Sequence, residues 1–313
     1  MIILKLTDGL GNQMFQYAYA RSLQIFYGER KLYFDVTKLG QGHVRQYGLG
    51  YFCLNENVII PNRFYQYASR LYVKILLNLF YRLLKISTVS EKGVWLFSKS
   101  GLYTNSAHYT FFPLVRSCVP VRFVRGFFQN EQYFDGIQNI IRREFTLKKL
   151  PVDEKVRKMY YEISNTESVC VHIRRGDFIT NKKYNVCNEY YYQEGINYIQ
   201  SLYPNAVFFV FSNSSEDIQW IKNNFSLKGA LKYVDMNNSE IDDFYLMSKC
   251  RHFIISNSTF SWWAAYLSTN DIKEVVAPRP WVHSTENFEG IYGRDWKIID
   301  ITHEKSTSSD TCF

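Results

Sequence analysis

The chain has 313 residues, enough for two folded domains, and its 46% of apolar residues is ordinary for a globular protein. Its net charge of +8 suits three kinds of partner: nucleic acid, an anionic membrane, or a negatively charged nucleotide substrate. Nucleic acid is the least favoured, because the sequence has no Lys/Arg tract, zinc-finger spacing or RNA-binding signature.

The amino-terminal residues predict a β-α-β unit. Its parts are a strand over 2–6, a glycine-containing turn over 8–11, a helix over about 12–28 and a strand over 31–35. Because the chain starts directly on a strand, we read no signal peptide or amino-terminal membrane anchor and expect a cytoplasmic protein.

The glycine-containing turn is the first of three loops with a chemical pattern. Gly9 and Gly11 let the backbone approach a ligand closely, and the helix start at Asn12 and Gln13 favours an anion. A tight β-to-α turn can also need glycine for steric reasons alone, so both readings fit. The turn is not a dinucleotide fingerprint, because Phe15 stands where the third glycine would be.

The apolar segment 66–86 carries four basic residues: Arg70, Lys74, Arg82 and Lys85. Four charges within one span argue against a transmembrane helix. Two structures fit the segment instead: a buried helix with basic edges, or a helix that lies on anionic lipid. The second would give the protein a peripheral contact with a membrane.

From about residue 166, short apolar strands alternate with helices, which predicts a parallel sheet covered on both faces. The strands are predicted at 168–173, 206–213, 231–235, 252–256 and 274–278, with helices at 189–203, 216–225, 241–250 and 260–268. Ligands of such sheets bind at the carboxyl ends of strands. We expect an α/β protein with domains at 1–160 and 161–300 and a polar tail at 301–313.

The second loop, His172 to Asp177, follows a buried strand and contains two adjacent arginines. A guanidinium group binds phosphate oxygens in pairs and stays charged at any working pH. Arg174 and Arg175 therefore predict a phosphate site. A structural ion pair between Arg174 and Asp177 is the alternative.

In the third loop, small polar side chains crowd the start of the last predicted helix. Asn257, Ser258, Thr259 and Ser261 surround Phe260 there. One hydroxyl suffices to cap a helix, so the others are available to bind a phosphate at the helix amino terminus. Capping alone is the structural alternative.

With these three loops the chain resembles the bacterial and animal α-1,2-fucosyltransferases of glycosyltransferase family eleven. The matching stretches are 9–18, 172–177 and 257–263, with weaker matches at 126–134, 209–213 and 246–248. They occur in order from residue 2 to about residue 281, and the three main motifs together are highly specific. One departure is Asp8, where the family usually has glycine.

The resemblance implies a GT-B fold, in which two Rossmann-like domains enclose the active-site cleft and the carboxyl-terminal domain binds GDP-fucose. It implies inverting transfer of L-fucose to the 2-hydroxyl of a terminal β-galactoside, in bacterial surface-polysaccharide (O-antigen) synthesis. The acceptor glycan would be lipid-linked, at the inner face of the membrane. Neither a metal nor another cofactor is expected, in agreement with the lack of an Asp-x-Asp motif. Transfer of another GDP-sugar, such as GDP-mannose, and nucleotide or glycan binding without catalysis are the alternatives.

The mechanism implied by this family assigns a role to each loop. Negative charge that builds on the departing β-phosphate must meet fixed cations and N–H groups when no metal is present. We predict Arg174 as the main contact and His172 as a residue that orients the site or contacts the nucleotide. Asp177 is the candidate base for the acceptor hydroxyl, although pairing with the arginines would weaken it. The donor-binding residues are predicted to be Arg174, Arg175, Gly9, Gly11, Asn12, Gln13, Asn257, Ser258, Thr259, Phe260 and Ser261.

Overall fold

The computed structural model describes residues 1–40, 45–55, 57–60, 63–79, 85–176, 178 and 181–301, with the backbone alone over 63–70. The chain forms two compact units: Met1–Lys149 with Glu286–Ile291, and Leu150–Thr285 with Tyr292–Phe313. Each is an α/β unit with a parallel sheet, which confirms the predicted fold class. The predicted polar tail, apart from its first residue, lies outside the described residues.

Unit 1 contains a five-stranded sheet in the order β3-β2-β1-β5-β4. The strands are β1 Ile2–Lys5, β2 Leu32–Asp35, β3 Val58–Ile59, β4 Leu102–Asn105 and β5 Arg122–Gly126, and the helices are α1 Leu10–Tyr27, α2 Arg63–Asn78, α3 Glu91–Lys99 and α4 Gln138–Glu144. The predicted strand, turn, helix and strand at the amino terminus are confirmed. The strand order changes direction between β1 and β5, so their carboxyl ends form a crevice of the kind that binds ligands.

Unit 2 contains a six-stranded sheet in the order β11-β10-β9-β6-β7-β8. The strands are β6 Ser168–His172, β7 Val207–Phe211, β8 Ala230–Tyr233, β9 His252–Ile254, β10 Val275–Arg279 and β11 Lys297–Asp300, and the helices are α5 Glu154–Ser164, α6 Glu189–Leu202, α7 Ser215–Asn224, α8 Glu240–Ser248 and α9 Thr259–Leu267. If β6 is numbered as strand 1 and the sheet is read from β8 to β11, this is the doubly wound order 3-2-1-4-5-6. The crevice of this sheet lies between β6 and β9.

The core of unit 2 follows from the alternation of side chains along β6. Val169 and Val171 point to one face and pack, fully buried, with Ile196 and Ile199 of α6. Each of the helices α6 to α9 begins at a side chain that accepts a hydrogen bond from a backbone N–H of its first turn: Asn188, Ser214, Ser239 and Ser258. These caps set the helix amino termini after the carboxyl ends of the strands that precede them.

The apolar segment 66–86 forms most of α2, which ends at Asn78. One face of this helix packs against the core of unit 1 through Tyr72, Val73, Leu76 and Leu77. Leu71 and Ile75 on another face, and Leu79 directly after the end of the helix, are 50%, 56% and 42% exposed. Arg82 and the side chain of Arg70 lie outside the described residues. None of the described helices has the length and apolar character needed to cross a membrane.

Candidate functional site

The crevice of unit 2 brings two of the three predicted loops together. Nδ1 of His172, at the end of β6, lies 3.0 Å from Oγ of Ser256, just beyond β9. Both side chains are buried. Ser256 was not among the predicted site residues, although a hydroxyl after an apolar strand was a signal for it. The strand order joins loops that are 84 residues apart in sequence.

His172 is a neutral group at physiological pH. Burial, and to a lesser degree the charge of Arg174, lower the pKa of His172 to about 3. The imidazole therefore offers one N–H and one lone pair, of which Nδ1 uses one with Ser256. Its ring centroid lies 6.0 Å from that of Phe260 on α9. His172 can hold and orient a ligand but brings no positive charge.

Arg174 provides a cation in this crevice. It follows β6 by two residues and is half-buried, and its guanidinium carbon lies 5.3 Å from the ring centroid of Phe178. Its positive charge contributes to the lowered pKa of His172. Asp177, the predicted base, lies outside the described residues, and its pairing with Arg174 stays a prediction.

The neighbouring Arg175 is held against α7. Its Nε donates to Asp217 over 3.2 Å, and its guanidinium carbon lies 3.2 Å from the ring centroid of Trp220. Its backbone N–H donates to Asn213 over 3.1 Å. Arg175 thus fixes the loop that carries Arg174. Asp217 and Trp220, three residues apart on one helix face, were not predicted from the sequence.

Two hydroxyl groups at the start of α9 form hydrogen bonds with the backbone of the helix. Oγ of Ser258 accepts a hydrogen bond from the Phe260 N–H over 3.4 Å, and Oγ of Ser261 donates to the Ser258 carbonyl over 3.2 Å. Thr259 is the first residue of α9 and is half-buried. Because a hydroxyl both donates and accepts, Ser258 keeps a donor for a ligand while it caps the helix.

The side chain of Asn257 forms hydrogen bonds with other residues of the protein. Its side-chain Nδ2 donates to the Tyr184 carbonyl over 2.9 Å, and its Oδ1 accepts from the Cys187 thiol at 3.6 Å. The buried amide therefore ties the 184–187 loop to the carboxyl end of β9. It shapes the wall of the crevice.

The predicted glycine loop lies in unit 1. The side-chain amide of Gln13 is hydrogen-bonded to backbone groups of the protein. Its Nε2 donates to the carbonyls of Asp8 and Gln46 over 2.8 Å each, and its Oε1 accepts from the Gly48 N–H over 3.0 Å. The side chain is fully buried. Gln13 thus anchors α1 to the loop that contains Gly48.

The crevice of unit 1 is bordered by Asn12 and Gln129, which follow β1 and β5. Nε2 of Gln129 donates to Oδ1 of Asn12 over 2.7 Å. Gly11 is buried in the first turn of α1. A side chain added at Gly9 would meet no atom within 4 Å, so packing does not require glycine there. The open backbone at Gly9 fits close approach of a ligand rather than a steric need.

Asp8 occupies a backbone conformation that favours glycine. Its φ of +66° lies in the left-handed region, which few side chains adopt and aspartate tolerates better than most. This conformation gives a physical reason for the glycine that the family resemblance leads us to expect at position 8. It indicates that the role of position 8 is to shape the turn.

Asp243, in the first turn of α8, was not predicted from the sequence. Burial raises the pKa of Asp243 to about 6; a 2.8 Å hydrogen bond from Asn238 opposes this shift and the charge of Asp242 adds to it. The ring of Phe244 packs at 5.2 Å from that of Phe260. A half-buried carboxylate that is charged at neutral pH, beside the residue that packs against Phe260, is a candidate binding group.

Two cationic side chains, Arg174 and Arg175, directly follow β6. No group of three or more His, Cys, Asp or Glu side chains in the described part of the chain is arranged to hold a metal ion.

The model of glycosyl transferase family 11 matches residues 1–300 of the chain. Over 302 residues the chain is 34% identical to the alpha-1,2-colitosyltransferase of Escherichia coli, covering 91% of this chain and 94% of the relative. It is 34% identical over 291 residues to the O-antigen biosynthesis glycosyltransferase WbnK of Escherichia coli, covering 88% and 93%.

Among solved structures the chain is similar to the fucosyltransferase NodZ from Bradyrhizobium, with a TM-score of 0.51 and 15% identity over 84% of this chain and 91% of that one. NodZ, an alpha-1,6-fucosyltransferase, has also been crystallised with GDP. The similarity shows a shared fold, and it is the GT-B fold expected above.

Proposed function

The chain belongs to glycosyl transferase family 11 and is a glycosyltransferase, and we propose that it moves L-fucose from GDP-fucose to the 2-hydroxyl of a terminal galactoside. The observation that carries the proposal is the crevice between β6 and β9. It combines the charged Arg174, the neutral His172–Ser256 pair and the amino terminus of α9. A nucleoside diphosphate fits such a combination, because fixed charge and N–H groups stabilise its phosphates.

The proposed reaction is a single displacement. The acceptor hydroxyl attacks the anomeric carbon, and the bond from that carbon to the β-phosphate oxygen breaks with its electron pair leaving on GDP. Arg174 stabilises the charge that builds on the phosphate, with Ser258 and the start of α9 in support. The hydroxyl proton passes to a base, and Asp177 is still the candidate for that role.

The base of the nucleotide has a proposed site beside Asp243. Guanine presents two adjacent donors, N1–H and N2–H, and a carboxylate can accept both. Phe244, next to Asp243 in the chain, packs against Phe260, which faces His172. This series of contacts links a base at Asp243 to the phosphates at Arg174 over the carboxyl edge of one sheet.

A second donor deserves a direct test because of the colitosyltransferase relative. Colitose is fucose without the 3-hydroxyl, and GDP-colitose is therefore the nearest competitor of GDP-fucose. A site that hydrogen-bonds a substrate hydroxyl rejects the analogue that lacks it by up to about 10⁴–10⁵-fold. Because the chain resembles fucosyltransferases, we propose that its donor site hydrogen-bonds the 3-hydroxyl of fucose.

Donor choice is tested by transfer to a soluble β-galactoside from GDP-fucose, GDP-colitose and GDP-mannose, with the product linkage determined by NMR. We expect an α-1,2 product and a kcat/KM for GDP-fucose at least about 100-fold above that for the other two donors. Preference for GDP-colitose would identify a colitosyltransferase. Tight GDP binding without transfer or donor hydrolysis would identify a binding protein.

Metal independence is a separate prediction. The sequence has no Asp-x-Asp motif, and the proposed cations of the crevice are arginine side chains. Transfer is therefore expected to keep close to its full rate in EDTA. The matched measurement adds Mg²⁺ or Mn²⁺ back to the treated enzyme. Loss of activity in EDTA with recovery on either metal would contradict the proposed phosphate site.

We propose O-antigen synthesis as the biological setting, supported by the similarity to WbnK, whose name places it there. The acceptor would then be a lipid-linked glycan that meets the nucleotide sugar on the cytoplasmic side of the inner membrane.

A further inference from the structure

Unit 1 contains a cavity of about 350 Å³ that the proposed reaction does not use. It lies between α2 and the face of the sheet that this helix covers. Its apolar wall includes Ile3 of β1, Phe123 of β5, and Val73 and Leu77 of α2. These four side chains also belong to the core of the unit, so the inner part of the cavity is apolar and well supported.

Charged side chains line the remainder of the cavity: Lys5, Asp35, Lys74 and Arg125, with Asn78 beside them. The strand register explains the clustering. Lys5 pairs with Asp35, and Arg125 follows Phe123, the partner of Ile3, by two residues. Because side chains alternate along a strand, these three groups form a row across the carboxyl ends of β2, β1 and β5.

Together with Lys74 of α2, which lines the same cavity, the row has a net positive charge. Its carboxylate, on the buried Asp35, already accepts hydrogen bonds from the backbone N–H and the hydroxyl of Thr37. Against it stand three cations, of which Lys74 and Arg125 are exposed to solvent. An anion is therefore favoured beside this row, and the apolar wall next to it favours hydrocarbon.

The outer surface of α2 adds a second apolar feature. Leu71 and Ile75 are spaced four residues apart, which places them along one side of the helix, and Leu79 directly follows its last residue. Each of the three is at least 42% exposed. Lys74 lies among them in sequence. Exposed apolar side chains beside cations on an amphipathic helix are the pattern of a helix that rests on anionic lipid.

We propose that α2 and the cavity beneath it bind a lipid phosphate. The phosphate lies at Lys5, Lys74 and Arg125, the first carbons of the hydrocarbon chain lie against Val73, Leu77 and Phe123, and the outer side of α2 rests in the membrane interface. A free phosphate would leave the apolar wall without a partner, and a neutral sugar would not use three cations. Use of this site for a lipid-linked acceptor rests on the proposed function.

The first experiment measures co-sedimentation of the full chain with vesicles. We expect binding to vesicles of phosphatidylglycerol and phosphatidylcholine, little binding to phosphatidylcholine alone, and release by about 0.5 M salt because the attraction is screened. Dihexanoyl phosphatidic acid, a water-soluble lipid phosphate, should bind in calorimetry and inorganic phosphate should not. Failure of both the anionic vesicles and the soluble lipid to bind would overturn the proposal.

Two double variants separate a site from a general charge effect. Lys74→Glu with Arg125→Glu should weaken binding to both lipid probes by about tenfold or more. Lys155→Glu with Arg157→Glu on α5 makes the same change in net charge at exposed positions of unit 2 and should keep lipid binding and activity. Equal losses in the two variants would refute a site at α2, as would inorganic phosphate binding as tightly as the lipid.

The outer side of α2 has its own variant, Leu71→Ser with Ile75→Ser, at exposed positions where the fold should survive. It should weaken vesicle binding and leave binding of the soluble lipid phosphate unchanged. Unchanged vesicle binding would refute the membrane contact of this helix face. GDP-fucose hydrolysis by the wild-type enzyme is measured in parallel, so that a failure of lipid binding with intact hydrolysis counts against this inference alone.

Discussion

Replacement of Arg174 by lysine is expected to lower kcat for fucosyl transfer by about 10²–10³-fold, the loss typical when a donor to a developing negative charge is removed. Lysine keeps the charge but lacks the planar pair of N–H groups that match two phosphate oxygens. Arg174 is half-buried and close enough to His172 to lower the pKa of its imidazole. The proposed effect is therefore on the transition state, and KM for the donor should change less than kcat.

The matched variant is Arg175→Lys, because the two arginines are adjacent but differ in their contacts. Arg175 stacks on Trp220 and pairs with Asp217, and loss of the stacking should cost about 0.5–2 kcal/mol of unfolding free energy. Its effect on kcat should be smaller than that of Arg174→Lys. Measurements of kcat/KM and of thermal unfolding on both variants show whether each arginine acts on the reaction or on the stability of the fold. Near-normal kcat/KM in a well-folded Arg174→Lys enzyme would remove Arg174 from the mechanism.

Much of the fold could be predicted from the sequence where strands and helices alternate regularly. The first strand and helix and the five strands of 168–278 were confirmed for this reason. No strand was predicted between 40 and 125, because β3 has two residues and because β4 and β5 follow one another without an α-helix between them, so the regular alternation is lost. Their places are set by pairing with distant strands, which local patterns do not encode. The edge strand β11 is half-exposed and lacks a strong apolar pattern.

The contacts within the site depend on strand order, which the sequence does not reveal. Arg174 and Ser258 stood out because their residue types suit phosphate at strand ends. The pairing of His172 with Ser256 requires β6 and β9 to be neighbours, and they become so only through a crossover in the sheet. Gln13 was predicted to bind the donor. Its side-chain amide instead forms hydrogen bonds with backbone groups 33 and 35 residues away, which the sequence does not reveal.

Replacement of Asp243 by asparagine is expected to make the protein more stable and the enzyme less active. Burial raises the pKa of Asp243 from 3.8 to about 6, so its ionised form is disfavoured in the folded state. Its contribution to stability is present below pH 3.8 and is lost as the pH rises through about 6. At pH 7.5 the variant should therefore gain on the order of 1–3 kcal/mol of unfolding free energy, and at pH 4 it should gain little. Denaturant unfolding at both pH values measures the difference.

The loss of activity should arise from the nucleotide base. A carboxylate accepts from both N1–H and N2–H of guanine, whereas an amide presents one acceptor and places an N–H against a donor. Loss of a hydrogen bond to a charged group costs about 1.5–3 kcal/mol, so binding of GDP should weaken by about 10–150-fold. IDP, which lacks the 2-amino group, provides the control. It should bind wild-type enzyme more weakly than GDP, and this preference should largely disappear in Asp243→Asn. A preference for GDP that survives unchanged in the variant would place the base elsewhere, and the carboxylate of Asp243 would then need another partner.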